Sequence, residues 1–317
     1  MRMNILSLHP LRDTQIEKIK AACPDVEIHI AKASECAPYL PDAEILLAFG
    51  QANLAPILPN APKLRWVQAL TAGVDGFVAL DAFRESDILL TNVRGIHGIP
   101  IAEHVLGMIL CRTRGLLNAY DNQKAKLWKG LRGLDELYEK TAAVIGLGSV
   151  GSVIANRLKA IGMTVLGVKP SKTKEPGVDK LYTPDELFDV LPQADFVIVT
   201  LPLTPKTKNL FSKKTFAAMK PSSFFINVSR GPVVNEDDLV EALQNNVIGG
   251  AGLDVFCTEP LPSESPLWDA PNLLITPHHA ATSPRYMDRA IDIFIENLKV
   301  FPDPAKMKNI IDKEKGY

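Results

Sequence analysis

Short apolar runs alternate with amphipathic stretches along nearly the whole chain. Residues 4–8, 26–30, 44–49, 64–70 and 87–91 read as strands, with helical spacing between them in segments such as 12–22. A second series, at 141–145, 164–168, 196–200, 224–228, 248–253 and 273–276, is almost continuously apolar, as expected of strands buried on both faces. This alternation of strand and helix is the pattern of parallel sheets covered by helices. Between the two series, one long helix is predicted over residues 100–128. Pro100 would sit in its first turn, with Ala102, Val105, Leu106, Ile109 and Leu110 at helical spacing. Thr183-Pro184-Asp185-Glu186 opens a helix with a capping box, Asn235 can cap another, and residues 284–300 read as a last helix before a polar tail.

Length adds a domain count: 317 residues suggest two domains at roughly 150 residues each. The balance of 46% hydrophobic and 22% charged residues is that of a globular protein. Lys and Arg number 35 against 36 Asp and Glu, a net charge of −1, so the chain lacks the basic surface of a general nucleic-acid or anionic-membrane binder. No apolar run approaches the roughly 18 residues of a membrane-spanning helix. The first apolar run is interrupted by His9 and Pro10 and suits a strand better than a secretory leader. Cys23, Cys36, Cys111 and Cys257 form no metal-ligand rhythm, and reduced thiols in a cytoplasmic protein are expected.

The sharpest local motif is Gly146-Leu147-Gly148-Ser149-Val150-Gly151, which ends a strand and opens a helix. Gly146 would permit the turn, Gly148 would let the backbone approach a pyrophosphate, and Gly151 would let helix and strand pack closely. The helix N-terminus offers N–H groups and positive dipole to phosphates, with Ser149 and Val150 beside them. A dinucleotide site that prefers NAD carries an acidic residue at the end of the next strand, for the ribose 2′-hydroxyl. Here that strand ends Val168-Lys169-Pro170-Ser171-Lys172. Lys169, Ser171 and Lys172 suit a 2′-phosphate, so NADP is the preferred cofactor, with NAD as the alternative.

Three more segments follow strands: Asn227-Val228-Ser229-Arg230-Gly231, Asp254-Val255-Phe256-Cys257-Thr258-Glu259-Pro260 and Thr276-Pro277-His278-His279-Ala280. With the glycine loop, in this order and spacing, they resemble the D-isomer-specific 2-hydroxyacid dehydrogenase family. Residues 64–75 resemble its substrate-loop region and residues 101–104 its linking helix, so the likeness covers essentially the whole chain. It implies an α/β fold of two doubly wound parallel-sheet domains, Rossmann-like and flavodoxin-like, with a cleft between them. A substrate domain would comprise residues 1–96 plus 284–317, and a dinucleotide-binding domain residues 97–283.

The resemblance also implies hydride transfer between NAD(P)H and a small 2-oxoacid or D-2-hydroxyacid. It assigns catalytic roles to Arg230, Glu259 and His278. A proton donor must stand beside the oxygen that becomes an alkoxide, and imidazole exchanges protons near neutral pH. A carboxylate at Glu259 would orient the ring, and the planar fork of Arg230 suits a substrate carboxylate. Ala72, Gly73 and Val74 would offer amides to that carboxylate, and Leu201, Pro202, Val228 and Asp254 would line the cofactor; packing or turn roles stay open for all of these. Trp128, Arg285, Tyr286 and Met287 are candidate rim residues. His97 and His104 lie two helical turns apart with no third ligand nearby, and no metal is expected. A homodimer is implied through the helix near residue 100. Alternatives within the resemblance are a cofactor-binding sensor or corepressor-like protein and a formate- or phosphite-type dehydrogenase. A phosphoglycerate dehydrogenase with an appended regulatory domain is disfavoured, because no segment for that domain follows residue 317.

Overall fold

A computed structural model of the protein describes residues 3–50 and 52–315, and the chain divides into two compact units. Unit 1 comprises Met1–Ile96 and Ser283–Tyr317, and unit 2 comprises His97–Thr282.

Unit 1 holds strands β1 (Met3–Ser7), β2 (Val26–Ile30), β3 (Ile45–Ala48), β4 (Trp66–Ala69) and β5 (Leu89–Thr91), all parallel, in the order β2-β1-β3-β4-β5. This is a doubly wound order whose direction reverses between β1 and β3. Its helices are α1 (Asp13–Ala22), the short α2 (Asp75–Val78) and α3 (Asp81–Arg84), and, from the second stretch of chain, α10 (Tyr286–Leu298). α1 packs against α10, and Asp288 accepts from Gln15 Nε2 at 2.7 Å and from Arg12. Trp66 anchors the core, stacked on Phe294 and Phe301, and its indole N–H donates to Thr91 Oγ1 at 2.7 Å. A fully buried tryptophan thus has its one polar group satisfied.

Unit 2 holds β6 (Thr141–Ile145), β7 (Thr164–Val168), β8 (Lys180–Tyr182), β9 (Phe196–Val199), β10 (Phe224–Asn227), β11 (Gly250–Leu253) and β12 (Leu273–Ile275). They form one parallel sheet in the order β12-β11-β10-β9-β6-β7-β8. Its helices are α4 (Gly98–Thr113), α5 (Leu116–Lys124), α6 (Gly151–Ala160), α7 (Leu187–Val190), α8 (Lys213–Ala217) and α9 (Glu236–Gln244). One apolar cluster lies on each face of the sheet, which is why these strands read as continuous apolar runs. The order reverses between β6 and β9, and ligands of such sheets bind beyond the carboxyl ends at that point.

One sequence expectation needs correction, and one strand was not anticipated. The helix predicted over 100–128 is two helices, because Gly115 adopts φ +60° and ends α4 in the left-handed conformation. Pro100 is the third residue of α4, in its first turn as expected, and residues 125–128 of the predicted span are not helical. β8 escaped the apolar pattern because it is a three-residue edge strand beginning with an exposed lysine.

Candidate functional site

The glycine loop of unit 2 runs from the end of β6 into α6. Gly146 has φ +101°, and a Cβ there would lie 3.1 Å from the Thr200 carbonyl carbon. A Cβ on Gly151 would fall 1.9 Å from the Gly146 oxygen. Gly148 differs from both: it is exposed, and a Cβ there would meet nothing within 4 Å. Turn, open backbone position and close packing therefore fall to Gly146, Gly148 and Gly151 in that order. Thr200 Oγ1 fastens the loop from the end of β9 by donating to the Gly146 oxygen at 2.6 Å. Leu201 packs against Gly146 from the same side, whereas Pro202 is exposed. The donor set fits a dinucleotide: α6 begins at an open loop whose N–H groups and dipole suit a pyrophosphate.

Beyond β7, the lysines predicted to meet a 2′-phosphate are already paired. Lys169 Nζ lies 2.7 Å from Glu175 Oε2, and Lys172 Nζ 2.8 Å from Glu186. Ser171 Oγ accepts from Thr173 at 3.2 Å. Glu186, also bonded by Thr183, is held down at about 2, chiefly by the Lys172 ammonium.

Arg230, Glu259 and His278 all follow strands of unit 2. His278 Nδ1 and Glu259 Oε2 are 2.6 Å apart, and Glu259 Oε1 accepts from the Phe256 amide at 2.9 Å. The carboxylate is thus fixed by its own loop before it meets the ring. Arg230 lies in the loop after β10, its carbonyl accepting from Asn227 Nδ2 at 3.0 Å and its Nη1 donating to the Ser229 oxygen at 2.8 Å. The next residue, Gly231, lies against Phe256, and a Cβ there would fall 1.9 Å from the Phe256 carbonyl carbon. Only a residue without a side chain lets the Arg230 loop lie on the loop that carries Glu259.

A family model described as the NAD binding domain of D-isomer specific 2-hydroxyacid dehydrogenase matches residues 106–280. A glyoxylate/hydroxypyruvate reductase B from Pectobacterium carotovorum is 34% identical over 249 residues, covering 76% of this chain and 77% of its own. The chain belongs to the D-isomer specific 2-hydroxyacid dehydrogenase family. A family structure from Aeromonas salmonicida is 38% identical, with TM-score 0.90, covering 99% of this chain and 100% of its own. An NADPH-dependent glyoxylate/hydroxypyruvate reductase from Sinorhizobium meliloti, solved with NADP and sulfate, is 29% identical with TM-score 0.83, covering 99% and 100%.

Within this dehydrogenase fold, Asp254 does something the sequence did not indicate. It is buried, and its Oδ1 accepts from Thr276 Oγ1 at 2.6 Å and from the His279 amide at 3.1 Å, while Oδ2 accepts from the Ala280 amide at 3.0 Å. These bonds straddle His278, which adopts φ +50°, a conformation that costs a non-glycine residue about 1 kcal/mol and needs support. His104 Nε2 lies 3.0 Å from Thr276 Oγ1 and extends the clamp. Burial lowers the proton affinity of His104, opposed by Asp254. His104, Asp254 and His279 place candidate ligand atoms within 4.8 Å of one another. Oδ1 already has two donors, so the cluster is a hydrogen-bond clamp on the His278 segment. Val228 is buried at the end of β10.

The ligand-type cluster found around His104, with Asp254 and His279, does not include His97. His97 is buried at the start of α4, and its pKa is lowered to about 4 by burial and by the nearby Arg230 charge. No spacing signal in the sequence would have joined His97 to Arg230.

In unit 1, the loop after β4 carries Ala72, Gly73 and Val74, whose amides donate to no group among the described residues. The Ala72 carbonyl accepts from Asn92 at 2.7 Å and the Gly73 carbonyl from Thr71 at 2.6 Å, which fixes the loop with those N–H groups spare. Tyr286 donates to the Leu70 carbonyl at 2.8 Å and stacks on Phe49, and burial pushes its phenol up to about 12. Trp128, in unit 2, is fully exposed.

Proposed function

We propose that this chain reduces a small 2-oxoacid to the D-2-hydroxyacid, with NADPH preferred and NADH as the alternative. The observation that carries the reading is the 2.6 Å contact between His278 Nδ1 and Glu259. With Nδ1 held, Nε2 is the nitrogen left to deliver a proton to the substrate oxygen. Arg230 holds the substrate carboxylate through its planar fork and polarises the carbonyl. The spare amides of Ala72, Gly73 and Val74 are what unit 1 offers to a substrate carboxylate. Gly148, Ser149 and Val150 receive the pyrophosphate, Gly146 and Gly151 shape that loop, and Lys169, Ser171 and Lys172 face the 2′-phosphate. Leu201 and Pro202 flank the adenosine, and Val228 lies toward the nicotinamide. When bound, the reduced nicotinamide supplies the hydride. The preference for NADPH is supported by the absence of a carboxylate at the end of β7 and by the cofactor named for the Sinorhizobium enzyme.

The test is consumption of NADPH and of NADH, followed by their near-ultraviolet absorbance, with a panel of glyoxylate, hydroxypyruvate and longer 2-oxoacids. Turnover with NADPH supports the reading. Tight cofactor binding without turnover on any member of the panel points instead to a sensor.

The working form is a homodimer in the cytoplasm. α5 and the segment after it expose Leu116, Leu117, Tyr120, Leu127, Trp128 and Leu134, an apolar surface of the kind that a second copy covers. The four cysteines are free thiols, which suits a reducing compartment. Among the described residues, no helix is long and apolar enough to cross a membrane.

A further inference from the structure

The loop after β7 carries a carboxylate that the dinucleotide reading does not use. Glu175 reaches back across two elements at once. Its Oε2 lies 2.7 Å from Lys169 Nζ, and its Oε1 accepts from Ser152 Oγ at 2.7 Å, in the first turn of α6. Both side chains of the ion pair are largely shielded, at 14% and 18% exposure, unlike the outer pair of Lys172 and Glu186 at 54% and 33%.

The loop is held in place by close packing. Gly177 adopts φ +75°, and a Cβ there would lie 2.7 Å from Asn156 Cα on α6. Lys169 is fixed from its own side, because its amide donates to the Tyr182 carbonyl of β8 at 3.0 Å. Glu175 is therefore a fixed anion at the place where the second strand ends beside the phosphate-binding helix, which is where the adenosine ribose of a dinucleotide rests in such folds.

We propose that Glu175 limits the preference for NADPH by competing with a ribose 2′-phosphate for Lys169. A 2′-phosphate must take the place of the Glu175 carboxylate on the ammonium, so each NADPH binding event breaks one charge-assisted pair to make another. A ribose with a free 2′-hydroxyl meets an acceptor instead: Glu175 supplies, from six residues farther along, the acidic group missing from the end of β7. One residue thus narrows the margin by which NADPH is preferred over NADH. The pair has a further consequence for Glu175 itself, since Lys169 and then Ser152 hold its carboxyl below the usual range and keep it anionic near neutral pH.

This inference rests on the dinucleotide reading above, and the experiment separates the two. Dissociation constants for NADPH and NADH are measured without substrate, by nicotinamide fluorescence titration, on the full chain and on Glu175→Gln and Lys169→Met. Glu175→Gln is expected to tighten NADPH roughly tenfold, the scale of one partly exposed charge-assisted hydrogen bond, and to weaken NADH. Lys169→Met is expected to weaken NADPH at least roughly tenfold while changing NADH by less. If Glu175→Gln leaves NADPH affinity unchanged or lowers it, or moves both cofactors equally, the competition does not exist and Glu175 is only a loop strut. Adenosine 2′,5′-bisphosphate and ADP serve as second probes; the variant must tighten the first and not the second. Failure of the unaltered chain to bind either dinucleotide would overturn the cofactor reading itself, whatever the variants do.

Discussion

Gly231 lies against Phe256 so closely that a single methyl group on it would overlap the Phe256 carbonyl. That contact joins the loop after β10 to the loop after β11, and so ties the position of Arg230 to that of Glu259 and, through it, to the His278 ring.

Gly231→Ala is therefore expected to cost about 3 kcal/mol of stability, because backbone rather than a flexible side chain must move. Gly148→Ala is the contrasting change. Nothing stands within 4 Å of its Cβ, so denaturant unfolding should change by less than about 0.5 kcal/mol, while NADPH affinity falls. Equal unfolding midpoints for the two variants would refute the packing argument.

His278→Gln removes the proposed proton donor and leaves the glycine loop intact. We expect kcat to fall roughly a thousandfold, with the NADPH dissociation constant unchanged. Glu259→Gln keeps an acceptor near Nδ1 but removes its charge, and should lower kcat by at least roughly tenfold. A His278 variant with near-normal turnover would remove this ring from the chemistry.

Acid stability should depend on His97. Its folded-state pKa of about 4 lies below the unfolded value of 6.5, so between these limits the unfolded chain binds more protons and stability falls as pH falls. The full loss is about 3 kcal/mol, complete only below pH 4. Burial is the main cause and the Arg230 charge adds to it. His97→Gln should flatten that part of the stability profile, read as the difference between unfolding free energies at neutral and acid pH. A profile identical to that of the unaltered chain would show that the depression is absent.

Leu117→Glu places a charge in the exposed apolar surface of α5 and should convert a dimer to a monomer. Sedimentation velocity reads the change directly. The same sedimentation coefficient for both proteins would mean that this surface does not join two copies.

The central strands of unit 2 were legible because they are buried on two faces and read as unbroken apolar runs; β6 and β7 run over the residues that the pattern indicated. β8 was not, since three residues at a sheet edge carry too little burial to leave a pattern. The break in the long helix was missed for another reason. Apolar spacing continues past Gly115, and only its left-handed backbone separates α4 from α5.

At the site, local rules were sufficient for some features and silent on others. The glycine spacing anticipated a turn, an open position and a close contact, because each is decided within a few residues of backbone. The three hydrogen bonds by which Asp254 holds the His278 segment, the His97–Arg230 pair and the Lys169–Glu175 pair all depend on which loop ends come to lie side by side.

Residue order by itself thus determined which segments become strands, which helix opens at a glycine turn and which chemical groups stand at strand ends, since burial and backbone freedom act over short stretches. Only the tertiary structure decided which acid meets which base. Coulombic and hydrogen-bond partners are chosen by distance in space, and the parallel sheet sets that distance by bringing the ends of far-separated strands to one edge.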